Sequence, residues 1–417
     1  YVTRVHDDML IFDRSGSMLT DDKLGAAQNA ARLYTDATAD GNMPGLVSFG
    51  GDATLDHGLA VVNSTVRTDI KNAVSAITTT PSVLTSIGDG LDTGLTDLEA
   101  NGNAEHPCAM VLLSDGVQTA PSYWNDVKTD VIDSRCVVDT IALGPTTAEA
   151  LLQEIATLTG GTYHYVADEN ATALTRGINQ TLGDWRNELA GTYEFVQGDV
   201  DGRSRLFEVN DHLDPKAGPV THTMTIEDDV TEAVFFVNLS QAGREFIQLY
   251  DPTGYQITCE EPGVRCVYDR PHILYHIMTP TLKSGLWTMV IYPGYNRAPG
   301  NEITAPTQGI PYLAGVSGNT HNTLHVFLGA PLSSRLQGMQ MPILAALAGK
   351  EPILGAEITA MVQCPAGVGQ QLQLFDDGNH GDGKANDGLY GNLFTLSHQM
   401  DPKDPNIAEG SCRVHVQ

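Results

Sequence analysis

Asp13, Ser15 and Ser17 stand two residues apart at the end of the apolar run Met9-Leu10-Ile11-Phe12. An extended or turning backbone aims alternate side chains the same way, so one carboxylate and two hydroxyls can face a common point. These are hard oxygen donors. A divalent ion of the Mg²⁺ or Ca²⁺ kind takes about six oxygens at roughly 2.0–2.6 Å, so three residues make only half of a cage. Two later stretches carry candidates for the rest: Thr85, in Leu84-Thr85-Ser86-Ile87-Gly88-Asp89-Gly90, and Asp115, which closes the second apolar run Met110-Val111-Leu112-Leu113-Ser114.

To bring these together the chain needs elements that end at one rim. Apolar runs that stop at Gly and acidic residues and lead into helical stripes read as buried parallel strands, whose carboxyl-end loops are where open α/β sheets bind ligands. Residues 1 to about 190 alternate in this way. Leu24, Ala27, Ala31 and Tyr34 fall on one helical face; Pro44 to Phe49 and Leu55 to Val62 read as strands and Asp69 to Ile77 as a helix. A helix near Ile87 to Ala100, strands at Cys108 to Ser114, Val137 to Leu143 and Thr162 to Val166, a helix striped by Ala148, Leu151, Leu152 and Ile155, and a last helix from Ala171 to about Trp185 complete the pattern. A mostly parallel sheet with helices on both faces is expected.

Asp-x-Ser-x-Ser, then Thr, then Asp at a strand end resembles the metal-ion-dependent adhesion site of von Willebrand factor type A domains. The resemblance implies a doubly wound, Rossmann-like α/β fold and makes Asp13, Ser15, Ser17, Thr85 and Asp115 the five metal-site positions. Neutral hydroxyls with only two carboxylates leave a bound dication electrophilic. A partner's Asp or Glu can then displace water and complete the octahedron, with Mg²⁺ suiting the shell better than Ca²⁺. A segment taken singly would read as a helix cap and a turn; three segments in order and in strand context point to the metal.

Composition narrows the partners. The 417 residues suffice for two to four domains, and 51 acidic against 23 basic residues give a net charge of -28. Phosphate backbones are repelled by such a surface, which disfavours nucleic acid and anionic membranes. The six cysteines fall as local pairs, Cys108 with Cys136, Cys259 with Cys266 and Cys364 with Cys412, with no Cys-x-x-Cys. Three disulfides and an oxidising, secreted or cell-surface setting are expected. No charged-then-apolar leader follows Tyr1, so any signal peptide is expected to lie outside this numbering, and the greasy run Met341 to Ala348 is too short to cross a bilayer.

Beyond about residue 191 helical stripes give way to short β-rich runs: Thr221 to Ile226, Ala233 to Leu239, Phe246 to Tyr250, Ile273 to Met278 and Trp287 to Tyr292, punctuated by Asp251-Pro252-Thr253-Gly254 and Pro293-Gly294. These predict a β-sandwich over 195–330 and, with Pro342 to Ala348 and Ala356 to Gln363, an immunoglobulin-like sandwich over 331–417. The third block holds the acidic, Gly-rich stretch from Leu374 to Tyr390. Asp376, Asp377, Asn379, Asp382 and Asp387 are candidate Ca²⁺ ligands there, although no Glu follows at the EF-hand position; the alternative is an acidic hairpin needing no metal.

The order of A domain, sandwich and Asp-Asp-Gly…Gly-Asp-Gly…Asn-Asp-Gly-x-Tyr loop resembles the downstream half of calcium-activated chloride channel regulators and their bacterial relatives. The resemblance implies that a zinc protease domain can precede the A domain in such proteins; this chain has no His-Glu-x-x-His, so that activity is not expected of it, nor is any other enzyme activity. His272 with His276, and His321 with His325, would pair on a metal if helical, but their neighbours say strand, where residues four apart are roughly 13 Å distant. Ser15 and Ser17 have no His near them in sequence to activate them. The leading expectation is therefore metal-dependent binding of a protein presenting Asp or Glu. The alternatives are a structural subunit of an extracellular assembly, contacting neighbouring subunits, and the non-catalytic part of a larger secreted precursor.

Overall fold

The computed structural model describes residues 5–79, 84–144, 149–166, 184–214, 218–239, 246–293, 309–320, 323–328, 340–349, 352–363, 370–395 and 413–416. The chain forms two compact units, one of residues 1–169 and 182–319, the other of 170–181 and 320–417.

The first unit opens with β1 (Asp7–Asp13), α1 (Lys23–Ala37), β2 (Met43–Phe49), β3 (Ala53–His57), α2 (Ser64–Ala76), α3 (Ile87–Asn101), β4 (Cys108–Ser114), α4 (Trp124–Ser134), β5 (Val137–Leu143), α5 (Glu149–Thr159) and β6 (Tyr163–Val166). The six strands lie in the order β3-β2-β1-β4-β5-β6. All pairs are parallel except the edge pair β2–β3. β1 is central and buried along its whole length, which is why it reads as an unbroken apolar run. Its neighbours β2 and β4 diverge in sequence from it, so the sheet's switch point lies at the carboxyl ends of β1 and β4, beside Asp13 and Ser114. Cys108–Cys136 is a disulfide joining the starts of β4 and β5, as expected for neighbouring strand ends.

The α/β part departs from the sequence expectation in several elements: β3 ends at His57 instead of Val62, and α2 starts at Ser64 instead of Asp69. The helix α4 is absent from that expectation, though Trp124, Val127 and Val131 sit buried on one face at helical spacing. And the grammar does not change at 191: α6 (Trp185–Val200) runs on to Val200. The earlier part of that expected helix, 171–183, falls outside the described residues.

α6 has no wholly polar face because it is packed from both sides. Trp185, Leu189, Tyr193 and Val196 join the core beneath α1, with Tyr193 edge-on to Tyr34 at 6.3 Å. On its other side it lies on a β-sandwich made of β7 (Ser204–Leu213), β8 (Val220–Ile226), β9 (Glu232–Leu239), β10 (Phe246–Tyr250), β11 (Gln256–Ile257), β12 (Val264–Tyr268), β13 (His272–Met278), β14 (Gly285–Tyr292) and β15 (Ile310–Gly318). A Cβ on Gly191 would stand 2.4 Å from Leu313 Cδ2, so α6 meets β15 at a distance only Gly permits.

The sandwich pairs a sheet of order β11-β10-β14-β8 with one of order β12-β13-β9-β15-β7. β9 is buried throughout. With a side-chain period of two, Ala233, Phe235 and Val237 enter the sandwich core around Trp287, while Val234 and Phe236 turn to the core shared with α1 and α6. The α/β part and the sandwich are thus joined by continuous apolar packing, each fully buried Val, Leu or Phe contributing about 1.5–3 kcal/mol. Cys259–Cys266 is a disulfide at β12.

In the second unit, β16 (Thr323–Leu328), β17 (Gln340–Ala348) and β20 (Leu389–Thr395) form one sheet. β18 (Ile358–Gln363), β19 (Gln370–Leu374) and β21 (Arg413–Val416) form another, in the order β19-β18-β21. Ile343, Ala345, Ile358, Ala360, Leu374, Tyr390 and Phe394 from both sheets make its core, as in a sandwich. Cys364 and Cys412 lie outside the described residues.

Candidate metal centre

The residues singled out in the first three segments meet at the rim between β1 and β4. Asp13, the last residue of β1, is fully buried. Its Oδ1 accepts the Ser15 N–H at 2.8 Å, closing an Asx turn that redirects the chain, and its Oδ2 accepts the Ser114 hydroxyl at 2.7 Å. The Ser15 and Ser17 hydroxyls lie 2.9 Å apart, and Ser17 Oγ donates to Asp115 Oδ1 at 2.6 Å across 98 residues of sequence. Thr85 is brought in from the loop before α3. Its carbonyl accepts the Thr119 and Ala120 amides at 2.9 and 3.1 Å, and its N–H donates to Thr119 Oγ1 at 3.0 Å. A Cβ on Gly116 would stand 3.5 Å from Ser17 Oγ and 3.7 Å from Thr85 Oγ1, so both hydroxyls converge beside Asp115. α3 holds this loop close because Gly90 lets it rest on Ile11 and Phe49, whose atoms a Cβ would meet at about 3 Å.

Burial and the facing Asp115 carboxylate push Asp13 up to about 6, against the pull of the Ser15 amide and the Ser114 and Ser15 hydroxyls. Two carboxylates and three hydroxyls gathered in a buried cleft, with no thiol or imidazole among them, fit a hard divalent cation.

Two participants were not visible in the sequence pattern. Ser114 orients Asp13 from the neighbouring strand. Lys23, the first residue of α1, places its ammonium 3.0 Å from Asp115 Oδ2, with side chains 5% and 0% exposed. The available signal for Lys23 was its position: a cation in a first helical turn opposes the helix dipole and needs a reason.

The candidate ligands of the C-terminal loop are arranged differently. Asp382 is buried and accepts three backbone amides, those of Asp377, Gly378 and His380, at 2.7, 2.8 and 3.0 Å. Asp376 accepts the Asp387 and Gly388 amides, Asp387 those of Lys384 and Leu389, and Asp377 that of Asn379 as well as the His380 ring. Each carboxylate organises its own turn.

Among the described residues, a set of three acidic and imidazole side chains gathers elsewhere: Asp36, Asp269 and His272, with atoms within 4.8 Å of one another. Cations of the protein already serve them. Lys71 lies 3.0 Å from Asp36 and 3.2 Å from Asp269, and Arg32 2.5 Å from Asp269. His272 and His276 both lie on strand β13 and are buried: His272, 2.9 Å from Asp36 of α1, pins the sandwich to the α/β part, while His276, 2.7 Å from Glu232 of β9, ties two sandwich strands together. The His325 side chain and all of His321 lie outside what is described.

Strand order and helical layers are those of a von Willebrand factor type A domain, and residues 8–180 match that family; this segment is such a domain. Residues 347–399 match the second Ig-like domain of conditioned medium factor. Over most of its length the chain is similar to calcium-activated chloride channel regulators: it is 27% identical over 394 residues to regulator 4 of Homo sapiens and 26% identical over 392 residues to regulator 1 of Mus musculus. Each alignment covers 93% of this chain and 39% of the relative, so the chain spans about two fifths of their length. Among solved structures, a von Willebrand factor type A protein from Catenulispora acidiphila is 13% identical, with a TM-score of 0.40, over 83% of this chain and 63% of that one. Among the described residues, no helix is long and apolar enough to cross a membrane.

Proposed function

We propose that the A domain is a cation-dependent protein-binding module, acting in an extracellular or cell-surface setting, and that it binds and does not catalyse. Asp13, Ser15, Ser17, Thr85 and Asp115 would hold the ion, Mg²⁺ or Ca²⁺. When bound, the ion supplies an electrophilic point for an Asp or Glu of a protein partner. The chain's own residues do the rest: Ser114 and the Ser15 amide fix Asp13, and the Thr119 and Ala120 amides fix the Thr85 loop. The observation that carries this reading is the convergence of Ser17, Thr85 and Asp115, from three distant segments, at the switch point of the sheet.

The test is Mn²⁺ titration of the full chain, followed by binding to an extracellular-matrix preparation with and without EDTA. One saturable ion should be taken up by the wild type and lost in Asp13→Ala and Thr85→Ala, and matrix binding should fall with it. Matrix binding that survives both chelation and Asp13→Ala would remove the mechanism. For the C-terminal loop, we propose that Asp376, Asp377, Asp382 and Asp387 serve first as turn-forming acceptors, with the Asn379 side-chain amide donating to the Asp377 carbonyl; Ca²⁺ uptake that persists in Asp13→Ala would assign these five a metal as well.

A further inference from the structure

Lys23 stands where a positive charge is least welcome to a helix, in its first turn, and taking its ammonium and the Asp115 carboxylate out of water costs free energy for both. The pair is nevertheless buried, at 3.0 Å. The same carboxylate accepts Ser17 Oγ through its other oxygen at 2.6 Å. Lys23 therefore lies one carboxylate away from the hydroxyls that face the metal position. Asp13, by contrast, is held by neutral donors, the Ser15 N–H and the Ser114 hydroxyl.

We infer that Lys23 is a built-in counter-cation of the metal site, offsetting the charge of Asp115 so that the chain alone holds a dication weakly and a further carboxylate is needed for tight binding. The inference rests on the metal-site reading above. Its physical basis is that like charges a few ångströms apart in a buried cleft repel far more strongly than in water. A site with two carboxylates and one ammonium presents a net charge of about -1 to a dication, half of what its acids alone would offer. A lysine that merely tied α1 to the end of β4 would have the opposite effect on substitution, since a loosened site binds metal less well.

The experiment is isothermal titration of Mn²⁺ into the full chain for wild type, Lys23→Met, Lys23→Gln and Lys23→Arg, with circular dichroism to establish folding and Asp13→Ala as the site control. Both neutral variants should bind Mn²⁺ at least about tenfold more tightly than wild type, about 1.4 kcal/mol, and Lys23→Arg should return most of the way to the wild-type value. Equal or weaker binding by a folded neutral variant overturns the inference. So does loss of folding in both neutral variants with Lys23→Arg intact, which would make the residue purely structural. Wild-type uptake of Mn²⁺ that is indifferent to Asp13→Ala sinks the metal-site reading instead.

Discussion

Asp8 gives a stability prediction whose size can be worked from its surroundings. It is buried in β1, its Oδ2 accepts the Tyr34 hydroxyl at 2.9 Å, and its Oδ1 has no hydrogen-bond partner among the described residues. Burial, with the Asp201 and Asp7 carboxylates nearby, pushes it from an ordinary 3.8 up to about 7, the Tyr34 hydrogen bond notwithstanding. A carboxyl raised in this way is favoured protonated in the folded chain. Its contribution is fully present below about 3.8 and is lost as the pH rises through 7. At about 1.4 kcal/mol per pH unit, the raised value removes up to about 4 kcal/mol of stability by pH 8, and about 1.6 kcal/mol at pH 5, where only the unfolded chain has ionised. Asp8→Asn keeps an acceptor for Tyr34 and removes the titration. The variant should therefore be more stable than wild type by about 2–4 kcal/mol at pH 8, with the gain shrinking to about 1–2 kcal/mol at pH 5. Urea denaturation of both proteins at pH 5, 6.5 and 8 measures the difference. A gain that does not change with pH, or an Asn variant less stable at pH 8, would refute the reasoning.

Two further outcomes follow from the same packing. Replacing Cys108 and Cys136 together by Ser opens a loop of sequence separation 28 and should cost about 3–4 kcal/mol in a thermal melt, because the unfolded chain regains that freedom. Burial alone would raise Asp36, but His272 and Lys71 outweigh it and hold the carboxyl below its ordinary value. The stability this contributes is present above the ordinary carboxylate range and is lost as the pH falls through the lowered value. His272→Ala should destabilise the first unit by about 2–4 kcal/mol at neutral pH and flatten its acid limb below about pH 4; an unchanged acid limb, followed by tryptophan fluorescence, would show the pair to be idle.

The legible part of the site was the part written at strand ends. Asp13, Ser15, Ser17, Thr85 and Asp115 could be picked out because each follows an apolar run or opens a helix, and loops of that kind have few reasons to alternate acid with hydroxyl. Lys23 and Ser114 escaped because their partners lie 92 and 101 residues away, and nothing local separates a buried lysine from a solvated one. The α/β alternation was visible through β1, β4 and β5, whose three boundaries need no large revision. α6 was not read to its end because amphipathic reasoning looks for a polar face, and a helix wedged between two cores buries Asn187, Glu194 and Gln197 along with its apolar residues. β9 was recognised but its double role was not, since Val234 and Phe236 look no different in sequence from Phe235 and Val237. The acidic loop shows the limit of composition: its carboxylates answer backbone amides one by one, which counting acids cannot distinguish from a cage.

Sequence likeness draws the border of the A domain at residue 180, whereas packing draws it past Val200. The difference is one helix that belongs to two neighbours at once. Severing the chain between Val166 and Ser204 would strip the alanine-rich side of α1 bare or unroof the sheet carrying Phe236 and Leu313. The smallest fragment expected to stand by itself is therefore the pair, and a hand laid on the sandwich is also laid on the rod that begins at Lys23.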